Sequence, residues 1–244
     1  MKLSAIAVAL LFTISSCASV GRVQEKSLDD VQVMMASTVQ INVHIAMTAI
    51  VNGEEIPLDP TGWSGSGVVY AQNGGIISER HSMVLSANHV LDAPHPGDMV
   101  PFALGVLRVD AVLITARSAD NKTCELKAVA LGEDTERDVA VGEAQCELAP
   151  AAPIAKHIPP MGAKLYVVGH PLGVPNVMVT EGFFSGWYHK YMIASAPITH
   201  GNSGGPVFYD GEIVGLAVRG TDYPNLAIIA PLEQILERVA TAAQ

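Results

Sequence analysis

The residues of this 244-residue chain best suited to chemistry lie in the glycine-rich stretch GNSGG at 201–205. Glycine adopts conformations with positive φ and lets other atoms approach the backbone closely. A serine in such a turn exposes its hydroxyl while neighbouring backbone N–H groups point at one spot, as an acyl-transfer nucleophile requires. The pattern therefore indicates a nucleophile at Ser203, with a glycine-rich turn that merely exposes a serine as the alternative.

A serine nucleophile needs a base and a group that orients the base. Among the eight histidines, His89 stands where the apolar stretch that begins at residue 83 stops. A histidine there can be held rigidly and still face a cleft. Asp138 opens the apolar run DVAV, and a carboxylate entering a core needs a partner such as an imidazole N–H. We therefore predict that His89, Asp138 and Ser203 act together.

The order of these residues argues against one class of hydrolase. The GNSGG stretch also fits the nucleophile elbow of α/β-hydrolases, but that fold has its histidine after the serine. No histidine follows His200. A zinc site made of His81, His89 and His95 is also disfavoured, because their spacing matches no common ligand pattern. We expect neither a metal nor a cofactor.

The elements that must position these residues are short strands. About eleven β segments, separated by turn signals, precede residue 230, and the first, from Val39 to Met47, alternates apolar and polar residues. One amphipathic helix follows Pro231, and its predicted apolar face consists of Leu232, Ile235, Leu236 and Val239. The pattern predicts an all-β sandwich or barrel with a C-terminal helix.

Composition and charge restrict the class of protein further. Hydrophobic residues are 49% of the chain and charged residues 16%, which is typical of a globular protein. The length allows one large or two small domains and a sizeable core. A formal net charge of −10 argues against nucleic acid as a partner.

The N-terminal segment predicts export. A lysine precedes an apolar run that is too short to span a membrane, as in a signal peptide at 1–16. The sequence ISSC at 14–17 resembles a bacterial lipobox, which implies cleavage before Cys17 and a lipid anchor on its thiol; ordinary cleavage nearby is the alternative. Residues 17–35 would form a polar tether and 36–244 the folded domain. We expect a lipid-anchored protein of the bacterial cell envelope or a secreted one.

The other two cysteines flank a predicted hairpin formed by residues 124–131 and 137–145. If Leu126 pairs with Ala144, then Cys124 lies opposite Cys146, within reach of a disulfide. An exported protein with an even number of such cysteines is expected to form it. Two free buried thiols are the alternative.

Four motifs together resemble a chymotrypsin-fold serine protease, nearest to the Deg/HtrA-type protease domain. They are SGSGVV at 64–69, LSANHV at 85–90, DVAV at 138–141 and GNSGGP at 201–206, and VVGHPLG at 167–173 resembles a loop of the family. The resemblance spans about residues 36–240 and implies two six-stranded antiparallel β-barrels that meet near 150–160. It implies that His89 and Asp138 come from the first barrel and Ser203 from the second, with the Gly201 and Ser203 amides as the oxyanion hole.

Two features depart from the family's pattern. Asn202 stands where trypsin-like zymogens have an aspartate that pairs with the newly cleaved N-terminus, so we expect activity without that cleavage. No PDZ domain fits the sequence, so we expect no regulation by one.

The resemblance also assigns the substrate-binding residues, which are Pro197, Ile198, His200, Ala217, Val218 and Gly220. None of them is acidic, so a basic P1 side chain would be buried without a partner. We expect a serine endopeptidase that cleaves protein or peptide substrates after a small or medium apolar residue. A catalytically silent peptide-binding module on the same fold is the alternative.

Overall fold

The computed structural model describes residues 28–71, 81–132, 138–221 and 225–243. The predicted signal peptide and Cys17 lie outside the described residues. Helix α1, Leu28–Ser37, occupies the last part of the predicted polar tether. Met34 of α1 is buried in the main hydrophobic core, and its carbonyl accepts a hydrogen bond of 2.8 Å from the Thr38 hydroxyl. This end of the tether is therefore part of the folded unit.

The first half of the chain forms a closed six-stranded antiparallel barrel. In spatial order its strands are β1 (Thr38–Val51), β3 (Thr61–Ala71), β4 (Ser82–Ser86), β8 (Ala140–Ala144), β7 (Thr123–Ala130) and β6 (Gly105–Arg117), and β6 pairs with β1 to close it. Two short strands extend this sheet as hairpin arms, β2 (Glu54–Pro57) beside β1 and β5 (Met99–Phe102) beside β6. A single helical turn, α2 (Asn88–Leu91), follows β4.

The second half forms another closed barrel of six strands. Their spatial order is β10 (Lys164–Gly169), β11 (Met178–Tyr188), β12 (Tyr191–Ala194), β15 (Ala227–Pro231), β14 (Glu212–Gly220) and β13 (Pro206–Tyr209). The two-residue strand β9 (Ala152–Pro153) lies between the barrels in sequence and pairs with β3. The predicted architecture of two six-stranded antiparallel barrels is confirmed.

The predicted register of the cysteine hairpin is also confirmed. Leu126 of β7 pairs with Ala144 of β8. Beyond the end of β8, a disulfide joins Cys124 to Cys146, with their Cα atoms 5.9 Å apart. The bond ties two neighbouring strands of the first barrel together.

Helix α3, Leu232–Ala242, closes the described chain as predicted, but its buried stripe differs by one position. Leu232 and Ile235 are buried, whereas Leu236 is 42% exposed. Arg238 continues the stripe instead, because its guanidinium donates a hydrogen bond to the carbonyl of Leu131 in the first barrel. None of the described helices is long and apolar enough to cross a membrane.

Candidate active site

His89 stands on α2, directly after the end of β4. Its side chain is half exposed, and its Nδ1 lies 2.7 Å from Oδ2 of Asp138. The backbone N–H of His89 also donates to Oδ1 of Asp138, at 3.0 Å. A carboxylate at Nδ1 favours the tautomer with the proton on that nitrogen, which leaves Nε2 as the proton acceptor.

Asp138 lies two residues before β8, with a side chain that is only 16% exposed. Burial by itself raises the pKa of this carboxyl group, but the hydrogen bonds from the side chain and backbone of His89 outweigh it, so the pKa lies below its ordinary value. The carboxylate is therefore ionised at neutral pH and suited to orient an imidazole.

Ser203 lies on the turn that enters β13 of the second barrel. Its carbonyl accepts a 2.7 Å hydrogen bond from the backbone N–H of Ser66 in β3, which fixes the turn against the first barrel. Its hydroxyl donates to the carbonyl of Val218 at 3.4 Å. Within the described part of the chain no hydrogen bond joins this hydroxyl to His89. Such bonds are often long or absent without substrate.

The backbone before Ser203 is held on both sides. Gly201 has a φ of +92°, and its carbonyl accepts a 2.7 Å hydrogen bond from the Ser66 hydroxyl. The carbonyl of His200 accepts a 2.6 Å hydrogen bond from the backbone N–H of Leu172. Among the described residues, no acceptor is bonded to the N–H groups of Gly201 and Ser203. Two backbone donors are thus available beside the serine hydroxyl.

A cleft of about 780 Å³ joins these groups between the barrels. It brings His89, Asp138 and Ser203 together with four of the six predicted substrate-binding residues, which are Ile198, His200, Val218 and Gly220. The other two predicted residues do not line it. Ala217 is fully buried in the core of the second barrel, because it precedes Val218 in β14 and successive side chains point to opposite faces. Pro197 is exposed, on the segment that leaves the barrel after β12.

The cleft also contains two charged residues outside the predicted catalytic and substrate-binding sets. Asp92 lies just after α2, and Arg219 lies in β14; both are exposed and line the cleft. Asp92 had the properties of an ordinary surface acid, and its neighbour in the sequence, Leu91, gave no signal of a cleft. Asp92 belongs to the first half of the chain and Arg219 to the second barrel. Their presence in one cleft follows from how the two barrels pack together.

A second cavity, of about 430 Å³, lies on another side of Ser203. Its walls include Trp63 and Ser64 of β3, Gly201 of the glycine turn, and Leu172 and Gly173 of the loop after β10. Among the described residues no cluster of three or more potential metal ligands occurs.

Comparisons with known proteins agree with this fold. The sequence model of the family described as "Trypsin-like peptidase domain" matches residues 65–216. A curated protein of Halomonas elongata, named "Probable periplasmic serine endoprotease DegP-like", is 24% identical over 199 residues, which is 76% of this chain but 38% of that protein's length. The crystal structure of the serine endoprotease from Yersinia pestis has a similar fold, with a TM-score of 0.63 and 17% identity over 89% of this chain and 67% of that one.

Proposed function

The chain belongs to the trypsin-like peptidase domain family, and from that premise we propose that it is a serine endopeptidase that cleaves protein substrates with Ser203, His89 and Asp138. The observation that carries the proposal is the pair of hydrogen bonds by which Asp138 holds His89, at the edge of the cleft that Ser203 also lines. An ionised, largely buried carboxylate bonded to a half-exposed imidazole is what a proton-transferring histidine requires.

In the proposed reaction the Ser203 hydroxyl rotates from the Val218 carbonyl toward His89. Its oxygen attacks the scissile carbonyl carbon while its proton passes to Nε2 of His89. The ionised Asp138 stabilises the imidazolium that forms, and the imidazolium then gives the proton to the leaving amine. Water repeats the sequence to release the acyl group from the serine.

The negative charge on the carbonyl oxygen of the tetrahedral intermediate needs hydrogen-bond donors. We assign this role to the backbone N–H groups of Gly201 and Ser203, because neither is bonded to an acceptor among the described residues and both lie beside the nucleophile. Donors of this kind typically contribute a factor of about 10² to 10³ to kcat each.

The proposed preference is for a small or medium apolar residue at P1. Ile198 and Val218 give the cleft an apolar part, and Gly220 leaves its wall without a side chain. Apart from Asp138, the acid in the cleft lining is Asp92, which is exposed just after α2. A buried basic P1 side chain would therefore lack a partner.

The proposal extends to activation and location. Asn202 is buried and uncharged, so it offers no carboxylate to a newly formed N-terminus, and we propose that the protein is active without trypsin-type cleavage. The DegP-like relative is named as periplasmic. Together with the signal sequence and ISSC motif, this supports an exported protein of the cell envelope with a lipid anchor at Cys17.

Labelling with a fluorophosphonate probe tests the function directly. We expect the wild-type protein to be labelled and to degrade casein, and we expect Ser203→Ala to lose both properties with its thermal stability intact. A folded wild-type protein that reacts with neither would favour the catalytically silent peptide-binding module.

A further inference from the structure

Ser66 of β3 is completely buried, and all of its polar groups are used at the junction of the two barrels. Its N–H bonds to the Ser203 carbonyl, and its own carbonyl accepts a 2.7 Å hydrogen bond from the Ser86 hydroxyl. Its hydroxyl contacts the backbone that precedes the nucleophile. We propose that Ser66 is a positioning residue that holds the Gly201 N–H in the orientation needed to bind the oxyanion; this rests on the proposed function.

The Ser66 hydroxyl makes two hydrogen bonds with the second barrel. It donates to the Gly201 carbonyl at 2.7 Å and accepts from the His170 backbone N–H at 2.9 Å. A hydroxyl is both donor and acceptor, so one serine satisfies two buried backbone groups of opposite character. Ser66 thereby connects the glycine turn to the loop that follows β10.

These bonds restrict the rotation of the peptide groups on either side of Gly201. The carbonyl of the preceding peptide, that of His200, is bonded to the Leu172 N–H in the same loop. The carbonyl of the following peptide is bonded to Ser66. If either peptide rotated, the direction of the Gly201 N–H would change or a carbonyl oxygen would take its place beside Ser203, where it would repel the developing negative charge. A donor must be fixed before reaction to stabilise the transition state fully.

Steric contact with the loop supports this assignment. A Cβ atom on Gly201 would lie 2.3 Å from the His170 carbonyl oxygen and 2.9 Å from the backbone nitrogens of Leu172 and Gly173. The turn and the loop therefore meet without intervening side chains, and the hydroxyl of Ser66 bridges them at this contact. Replacement of Ser66 by alanine would leave the Gly201 carbonyl and the His170 N–H without this partner, although the backbone bond to Ser203 remains.

Ser66→Ala and a matched control test the inference. Ser82 is also a buried serine of the first barrel, and its hydroxyl accepts a 2.9 Å hydrogen bond from the Leu148 N–H. It begins β4, at the end away from His89. Ser82→Ala therefore also removes a buried serine hydroxyl that bonds to the backbone, but outside the cleft. With fluorescein-labelled casein, we expect Ser66→Ala to lower kcat about 10- to 100-fold, with KM within about threefold of wild type. Fluorophosphonate labelling should slow by a similar factor, and Ser82→Ala should retain both rates.

The pH profile and hydrogen exchange separate positioning from a general loss of structure. The midpoint of the pH–rate profile should stay unchanged in Ser66→Ala, because the His89–Asp138 pair is intact. Amide exchange in residues 199–203 should rise in Ser66→Ala and stay at the wild-type level in Ser82→Ala. Equal activity losses and equal exchange in the two variants would overturn the inference. If the wild-type protein proves inert while exchange at 199–203 still rises only in Ser66→Ala, the positioning contact stands and the proposed function falls.

Discussion

Asp138 contacts His89 at two points, with one carboxylate oxygen 2.7 Å from Nδ1 and the other 3.0 Å from the backbone nitrogen. The two bonds fix both the ring and the helical turn that carries it. The imidazole therefore has a defined orientation although half of its surface is exposed. This relationship gives the first prediction.

Replacement of Asp138 by asparagine should remove the negative charge and favour the wrong tautomer of His89. We expect kcat to fall about 10⁴-fold with little change in the fold. Asp98→Asn is a matched control, because Asp98 likewise accepts a hydrogen bond from a histidine backbone N–H, that of His95, but lies outside the cleft. Steady-state kinetics on casein would check both variants. Equal activities of the two variants would contradict the assigned role.

Acid should destabilise the protein partly through His170, which is buried behind the glycine turn. Burial lowers the pKa of its imidazole, and the charge of Arg117 lowers it further. Hydrogen bonding to the carbonyls of Val174 and Pro175 raises the pKa but does not reverse this shift. The unfolded chain then binds the proton more readily than the folded one. The contribution of neutral His170 to stability is therefore fully present above the pKa of the unfolded chain, near 6.5. It is lost as the pH falls through the lower pKa of the folded protein.

Thermal unfolding between pH 7.5 and pH 5 measures this effect. We expect His170→Asn to unfold at a lower temperature at pH 7.5 but to lose less stability on acidification than the wild type. His157→Asn, at an exposed position, should follow the wild-type pH dependence. Parallel curves for all three proteins would show that His170 does not titrate in this way.

Substrate preference should follow the apolar side chain of Ile198 in the cleft. A carboxylate at this position would offer a basic P1 side chain the partner that it lacks. We expect Ile198→Asp to lower kcat/KM at least about tenfold for apolar P1 residues and to raise it for arginine and lysine. Ile198→Asn should lower kcat/KM for apolar P1 residues without raising it for basic ones. A peptide library provides the measurement. An unchanged P1 preference in Ile198→Asp would show that the P1 side chain binds away from residue 198.

The disulfide between Cys124 and Cys146 should stabilise the first barrel without affecting catalysis. A bond that links positions 22 residues apart contributes about 3 kcal/mol to stability. In a protein of this size its loss lowers Tm by about 8 °C. We expect this shift in the double variant Cys124→Ala/Cys146→Ala and on reduction of the wild type, with casein cleavage retained at 25 °C. A reductant-insensitive Tm would contradict the prediction.

The sequence predicted the residues whose local surroundings are unusual. His89 and Asp138 stood out because each interrupts an apolar stretch, and Ser203 because glycines surround it. Side-chain direction was harder to predict: Ala217 and Val218 were both assigned to the cleft, but only Val218 lines it, since one step along a strand reverses the face. The hydroxyl of Ser66 had no local signal, because its partner Gly201 lies 135 residues away.

The same reasoning applies to Gln40, which lies among the alternating residues of β1. It falls on the predicted polar face, yet it is buried. Its side-chain amide donates to the Gly173 carbonyl at 2.7 Å and accepts from Arg117 at 2.8 Å, so it supports the loop after β10 from the first barrel. The alternation of apolar and polar residues identifies the polar face of a strand. It does not show whether a residue on that face contacts solvent or a polar group of the other barrel.

The last prediction concerns Gly201, where two effects of a side chain can be separated. Gly201 and Gly97 have nearly the same φ, +92° and +94°, but a Cβ on Gly97 would meet nothing within 4 Å, whereas one on Gly201 would lie 2.3 Å from the His170 carbonyl. Both alanine variants carry the same backbone strain, about 1–2 kcal/mol. Only Gly201→Ala must also displace the turn from the loop. We expect it to lower kcat about 10²- to 10³-fold in casein cleavage, while Gly97→Ala keeps wild-type activity. Equal kcat values for the two variants would mean that the turn accommodates a side chain, and the Gly201 amide could not then be a fixed donor.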